Sequence, residues 1–485
     1  MTKSGHAEGY ETLEVLINGR WRPGSSRHSE PVMNPATGEV LGHVPHVTGD
    51  DLDEALDASA QGFRAWGARS ALDRQSVLQA AAALMTERRD AIAKVLTLEM
   101  GKPLAEAGGE VDFAIATTRW YGEEGRRAYG RLIPSRTPNT RHSVLKEPVG
   151  PAVAFVAWNF PATNVIRKVA GALAAGCSII IKPSEETPGT CVAIARCFQD
   201  AGLPDGALNV VCGVPDTISR HLLASPIPKK VSFTGGVAVG KHLTRLAADT
   251  MKRCTMELGG HAPVIVAADC DLPSAVAACL AAKFRNAGQV CTSPTRFLVA
   301  KEIYTEFTNA FAEQASSLRV GNGLDETTQM GPLIAGRRID WMEQLVEDAE
   351  ANGARLITGG HRIDDVGSFF EPTVLCDITP DALAMTEEPF GPLALMVPVD
   401  TLDAALEEAN RLPVGLAAYA FTTSQATALR IQSDLNAGVV GINQTAVSLP
   451  EAPFGGVNET GWGSEGGIEG LETFLRTKFV NELVL

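Results

Sequence analysis

The sequence predicts an α/β protein built on mostly parallel sheets, and three observations carry that reading. From Pro151 the chain alternates short apolar strands with helical segments: PAVAFVAW, ATNVIRKVAGALAAG, CSIIIKP, a helix from Thr187, LNVVCG, KKVSFTGG and TMELGG follow in order. A second series of the same kind runs from Ala262 to about Asn443, opening APVIVAADCDLPSAVAACLAAKF. Strands separated by amphipathic helices form βαβ units, and such units bury a parallel sheet on both faces. The third observation is a break. Tyr129 to Gly150 carries three prolines and alternating polarity, which fits a hairpin arm rather than part of a compact core.

Ahead of the arm, apolar residues recur at helical spacing from Asp50 to about Leu96, as in DDLDEALDASAQGFRAW and RQSVLQAAAALMTERRDAIAKVL. A third helical stretch follows from about Ala105 to Arg126. The first thirty residues read as a frayed lead-in and a turn-rich section around Arg22-Pro23-Gly24-Ser25. The tail, LETFLRTKFVNELVL, is strand-like at its end. No internal repeat or low-complexity segment interrupts this plan.

Composition narrows the function. With 485 residues, 45% of them apolar, the chain holds roughly three domains' worth of material and needs no disulfide or metal staple. A formal net charge of −15 argues against nucleic-acid or anionic-membrane partners, which select for Lys/Arg patches. The start, MTKSGHAEGYETLEVLING, has no apolar h-region, and no run of 18 apolar residues occurs, so a cytosolic enzyme without a membrane span is expected. None of the nine cysteines stands in C-x-x-C or zinc-finger spacing, and no metal site is expected. Cys177, Cys191, Cys197, Cys212, Cys254, Cys270, Cys279 and Cys376 read as buried reduced thiols.

Cys291, in FRNAGQVCTSPTR, stands apart. It follows a Gly-containing turn that follows a helix from Pro273 to Phe284, where a thiol can be exposed and local amide dipoles can favour the thiolate. The same segment also fits a buried core thiol. In MELGGHAP, Glu257 closes an apolar strand, so it either pairs with a cation or does acid/base work with a raised pKa. Asn159 in AWNFPATN can point two amide donors into a cleft or cap a helix. KVSFTGGVAVGKHL is a strand, a glycine turn at Gly235-Gly236 and a helix start able to receive a pyrophosphate, although it lacks G-x-G-x-x-G. IIIKPSEETP sets Lys182 and Glu185 past the carboxyl end of a strand, where ligands of open sheets gather; both also fit a solvated surface pair.

Taken in order, these elements resemble the aldehyde dehydrogenase superfamily, closest to its succinic semialdehyde dehydrogenase-like members. The matching motifs are WNFP at Trp158–Pro161, KPSE at Lys182–Glu185, FTGG at Phe233–Gly236, ELGG at Glu257–Gly260, GQVC at Gly288–Cys291, EEPFGP at Glu387–Pro392 and PFGG at Pro453–Gly456. They span the chain from about residue 30 to its end.

The resemblance implies a nucleophile at Cys291, an oxyanion donor at Asn159 and a hydrolytic base at Glu257. It implies an NAD site, with NADP as the weaker coenzyme, formed by Trp158, Lys182, Pro183, Ser184, Glu185, Gly235, Gly236, Leu258, Glu388 and Phe390. Many relatives carry Ser where this chain has Gly236, which removes one hydroxyl donor. It implies an NAD(P)-binding domain of residues 1–127 and 151–259, a catalytic domain of 260–470, and an oligomerisation arm of 128–150 and 471–485 in a homodimer or homotetramer. Arg167, Arg285 and Ser448 match positions that hold a substrate's distal carboxylate, which implies succinic semialdehyde first and glutaric semialdehyde second. An aromatic or plain aliphatic aldehyde is the alternative. CoA-acylating, non-catalytic and cofactor-free cysteine hydrolase readings fit less well, because Glu257, Cys291 and Asn159 are all present and no His stands near Cys291 in sequence.

Overall fold

The computed structural model describes residues 10–484 and bears out the α/β reading. One sheet of eight strands holds five in parallel, in the order Leu208–Val210, Ile179–Lys182, Ala152–Phe155, Lys230–Gly235 and Arg253–Leu258. All four residues of Ala152–Phe155 and of Ile179–Lys182 are buried, as continuous apolar strands covered on both faces must be. A second sheet of seven strands holds Thr373–Cys376, Leu393–Val399, Arg296–Ala300, Pro263–Val266, Ala417–Phe421 and Val439–Ile442 in parallel order. Each sheet is packed on its own apolar cluster. The short strand Gly461–Trp462 returns to the first sheet and pairs antiparallel beside Glu257.

The arm is a three-stranded antiparallel sheet. Leu475–Leu483 pairs with Thr140–Pro148 along nine positions, from Leu475 opposite Pro148 to Leu483 opposite Thr140, and Arg131–Ile133 completes it. Its apolar residues Leu132, Phe479 and Leu483 are exposed.

Two local readings change. The stretch taken as one helix up to Leu96 is two, Ala71–Glu87 and Arg89–Met100, broken at Arg88. Its periodicity runs through the break because both halves pack on the same core, through Leu78, Ala82 and Met85 and then Ile92 and Leu96. The lead-in is also not frayed from Tyr10 onward. Val15–Ile17 is fully buried and forms a hairpin with Arg20–Arg22 at the edge of the first sheet, where Leu16 meets Val210. The part before Tyr10 lies outside the described residues.

Two helices that matter for the site begin without caps of their own. Pro161–Ala175 and Pro188–Asp200 each have Pro at the first turn and no capping side chain at the preceding residue. Pro supplies no N–H, but the next amides still need acceptors. A glutamate from elsewhere serves each. Glu99 accepts from the amides of Gly189 (2.5 Å) and Thr190 (3.0 Å), from the Thr190 hydroxyl (2.8 Å) and from the Tyr10 hydroxyl (2.6 Å). Burial pushes the Glu99 carboxyl up to about 7 against these donors. Glu99→Ala strands four buried donors, each worth about 1–3 kcal/mol when unpaired. A loss of at least about 3 kcal/mol in urea unfolding is expected; a loss below about 1 kcal/mol would show that water replaces the carboxylate.

Candidate active site

After Ala152–Phe155 the chain crosses to Ile179–Lys182 on one side and later to Lys230–Gly235 on the other. Such a reversal leaves a crevice at the carboxyl ends of the strands. A cavity of about 340 Å³ lies there, lined by Trp158, Asn159, Gly235, Gly236, Glu257, Leu258, Glu388 and Phe390, with Arg337 and Arg338 from the second half of the chain. A second cavity of about 330 Å³ is lined by Arg167, Arg285, Ser448, Phe113, Phe160 and Phe454, among others. Cys291 lies on the wall of both.

The turn that presents Cys291 is held in an unusual backbone. Asn286 and Ala287 have φ of 51° and Gly288 has φ of 71°, three left-handed residues in succession. Strain of this kind survives only where the surroundings over-determine it. Gln289, fully buried, supplies part of that. Its Nε2 donates to the Asn286 and Pro332 carbonyls (3.1 and 3.3 Å), and its Oε1 accepts from the Ile334 amide (2.9 Å). A Cβ on Gly288 would meet the Gly391 carbonyl oxygen at 2.1 Å, so the GQVC and EEPFGP segments touch through their glycines. The thiol does not follow the expectation drawn from local dipoles. Cys291 is half-buried, and desolvation, with Glu388 and Glu257 nearby, pushes its thiol up to about 12 despite Arg167 and Arg285.

Asn159 is buried and oriented. Its Oδ1 accepts from Asn164 (3.2 Å), and its Nδ2 donates to the Gln289 carbonyl (3.2 Å), which turns the amide toward the cysteine turn. Glu257 is buried with neither carboxylate oxygen hydrogen-bonded. Burial and the charge of Glu465 raise its pKa well above the usual carboxylate range. Of the two sequence readings, pairing with a cation is therefore not what the structure holds. Glu465 takes the cation instead, with Lys168 Nζ 2.6 Å from its Oε1, while Lys168 also donates to Thr234 Oγ1 (2.5 Å).

The crevice fits a dinucleotide. Gly236 stands at the uncapped start of Val237–Ala248, and a Cβ there would meet nothing within 4 Å. Trp158 and Phe390 meet edge to face at 5.4 Å. Glu388 is pushed up to about 8 by burial, and a Cβ on Gly259 would meet its Oε2 at 2.6 Å. Lys182, Pro183, Ser184 and Glu185 are not on this cavity wall. They follow the adjacent strand, where Lys182 pairs with Glu185, Ser184 donates to Glu186 (2.5 Å), and Arg337 reaches Glu186 (2.5 Å).

In the second cavity Arg167 is buried, donates to Ser448 Oγ (2.8 Å), and lies over Phe454 at 4.1 Å. Among the described residues no carboxylate comes within 4.0 Å of Arg167 or Arg285. The two are not a buried pair, however: Arg285 is exposed at the end of the helix Leu272–Phe284. Of the eight other cysteines, six are buried and Cys254 and Cys270 half-buried, and all are free.

Lys102, Glu110, Asn286, Gln289, Lys168, Glu465 and Arg338 were not singled out in the sequence. Gln289 lies within GQVC and was the most readable. The others act across distances of up to 297 residues, which no local pattern reports.

Cys291 thus stands between a crevice that fits a dinucleotide and a second cavity that holds the Arg167 guanidinium. Residues 21–480 match the aldehyde dehydrogenase family, and the chain belongs to it. It is similar to a putative 4-(hydroxymethyl)benzenesulfonate dehydrogenase of Comamonas testosteroni, 47% identical over 472 residues, covering 97% of this chain and 98% of that protein. Mitochondrial succinate-semialdehyde dehydrogenase of Mus musculus is 42% identical over 471 residues, covering 96% and 90%. The crystal structure of succinate-semialdehyde dehydrogenase from Burkholderia pseudomallei has a TM-score of 0.96 at 39% identity, covering 98% of each chain. The protein is an NAD(P)-dependent aldehyde dehydrogenase. No helix among the described residues is long and apolar enough to cross a membrane.

The raised thiol gives a direct test. In coenzyme-free protein, alkylation of Cys291 by iodoacetamide, followed by peptide mass spectrometry, is expected to climb with pH beyond about 9. A plateau below about pH 7 would mean a thiolate at rest.

Proposed function

We propose that the protein oxidises an aldehyde carrying a distal anion to the acid through a thioester on Cys291. The observation that carries this is Cys291 on the wall of two cavities, with the carboxylate-free guanidinium of Arg167 in the outer one. In this reading the Cys291 thiol gives up its proton to water as sulfur attacks the carbonyl carbon, and the C=O π pair moves onto oxygen. The oxyanion is held by Asn159 Nδ2 and the Cys291 amide, each such donor being worth about 2.7–4 kcal/mol. A bound nicotinamide supplies the hydride acceptor that makes the thioester oxidation level accessible. Glu257, once its own proton has left to water, then takes a proton from the water that opens the thioester, and an unpaired buried carboxylate is suited to that role.

The distal anion is proposed from charge. Lys102, Arg167 and Arg285 line the outer cavity with two carboxylates, Glu106 and Glu110, leaving an excess cation. Arg167 with Ser448 can take carboxylate or sulfonate oxygens. Succinic semialdehyde is the first candidate and glutaric semialdehyde the second. A second reading, an aromatic aldehyde with a distal sulfonate, is favoured by the three phenylalanines on the same wall and by the benzenesulfonate in the name of the 47% identical relative.

We also assign residues 1–127 and 151–259 to coenzyme binding, 260–470 to catalysis and 128–150 with 471–485 to an arm. The open edge of that arm and its exposed Leu132, Phe479 and Leu483 support a homodimer or homotetramer built on it. Glu185 beside Lys182 supports a preference for NAD, since its charge opposes a 2′-phosphate.

Three outcomes are expected. Cys291→Ala binds coenzyme but forms no NADH, whereas Glu257→Gln gives a stoichiometric burst with negligible turnover; near-normal steady-state turnover of Glu257→Gln would remove it as the base. Steady-state rate rises from about pH 6 to about pH 9, because the surroundings raise the pKa of both Cys291 and Glu257 and both need to lose a proton; a rate that falls over that range contradicts the assignment. Arg167→Met raises KM at least about tenfold for the anionic aldehyde and little for an uncharged one of similar length, as loss of a charge-assisted pair predicts. Equal effects on both would sink the distal-anion reading.

A further inference from the structure

The second capping glutamate lies at the reactive centre. Lys102 and Glu110, eight residues apart, are both buried, and Lys102 Nζ stands 2.6 Å from Glu110 Oε2. Glu110 Oε1 accepts from the amides of Ala162 (2.8 Å) and Thr163 (3.1 Å), the first donors of Pro161–Ala175. Lys102 Nζ also donates to the Asn159 carbonyl (3.0 Å) and sits 3.9 Å from the centre of the Phe160 ring. Asn286, from the strained turn before Cys291, donates its Nδ2 to that same carbonyl (3.0 Å).

The Asn159 peptide is thus clamped from two sides, by a cation from the loop between the helices Arg89–Met100 and Leu104–Glu124 and by the cysteine turn. Both oxygens of Glu110 and two directions of the ammonium are used. A buried ion pair of this kind contributes little net stability, because desolvating both charges offsets their attraction. What it supplies is direction. The carboxylate sets where the helix begins, and the ammonium sets the plane of the peptide from which the Asn159 side chain projects.

We propose that Lys102 and Glu110 are positioning residues for acylation, acting through the Asn159 amide and not on the substrate. The inference rests on reading Asn159 as the oxyanion donor. Although Lys102 lines the outer cavity, its charge is engaged by Glu110, so it is not the receptor for the substrate's anion.

The test is a double-mutant cycle between Lys102→Met and Asn159→Ala, read by the single-turnover rate of NADH formation, with coenzyme affinity followed by protein fluorescence. Lys102→Met is expected to slow acylation about tenfold or more, with the aldehyde KM within about threefold and coenzyme affinity unchanged. In the Asn159→Ala background the same change adds less than about threefold, because its target is gone. Lys102→Arg, which keeps the cation, recovers part of the rate, and Glu110→Gln, which keeps an acceptor for the helix amides, loses less than Glu110→Ala. Independent, additive losses overturn the proposal, as does a rise in KM confined to anionic aldehydes. An Asn159→Ala enzyme with a normal acylation rate would instead remove the reading of Asn159 itself. Should Lys102→Met not fold, Glu110→Gln carries the same cycle, and a loss in Glu110→Gln that is fully additive with Asn159→Ala overturns the inference.

Discussion

The site depends on how two helices begin. Pro161–Ala175 and Pro188–Asp200 each start with proline, each lack a local cap, and each receive a buried glutamate on the second and third amides. A negative charge at a helix start is favourable in the dipole field, and the pairing satisfies donors that burial would otherwise strand. The turns immediately ahead of these helices are WNFP and KPSE, which carry Asn159 and the Lys182–Glu185 pair. The helices Arg89–Met100 and Leu104–Glu124, which carry Glu99 and Glu110, therefore fix where the WNFP and KPSE turns stand.

That arrangement explains the distribution of charge around Cys291. The helix Pro161–Ala175 is buried along its whole length yet carries Arg167 and Lys168 side by side. Lys168 is paired with Glu465, whereas Arg167 faces the outer cavity, donates to Ser448 and lies over Phe454, with no ion-pair partner among the described residues. One helix thus supplies a balanced cation to the inner side of the site and an unbalanced one to the outer side. Burial and Glu465 raise the pKa of Glu257, which has no hydrogen-bond partner, and desolvation raises that of Cys291 in the same surroundings.

Much of the fold was legible because its signals are local. The helix Leu272–Phe284 begins one residue before the position read from the pattern, and the strands flanking Asn159, Gly235 and Glu257 fall where their apolar runs place them. The helix break at Arg88 was not legible, since apolar spacing continues across it on one core. The edge hairpin at Val15–Ile17 was missed because three apolar residues are too few to signal a strand until a sheet edge receives them.

The family was readable in the chain because its marks lie in short contiguous motifs such as GQVC, ELGG and WNFP, which a linear reading sees whole. The state of the groups in those motifs is set by packing. The tertiary structure shows Glu257 unpaired, Cys291 raised, Arg285 exposed while Arg167 is buried, and the Asn159 carbonyl clamped between Lys102 and Asn286. Each of these depends on burial and on partners tens to hundreds of residues away. Desolvation and pairing are properties of the packed interior, and no local stretch of chain contains them.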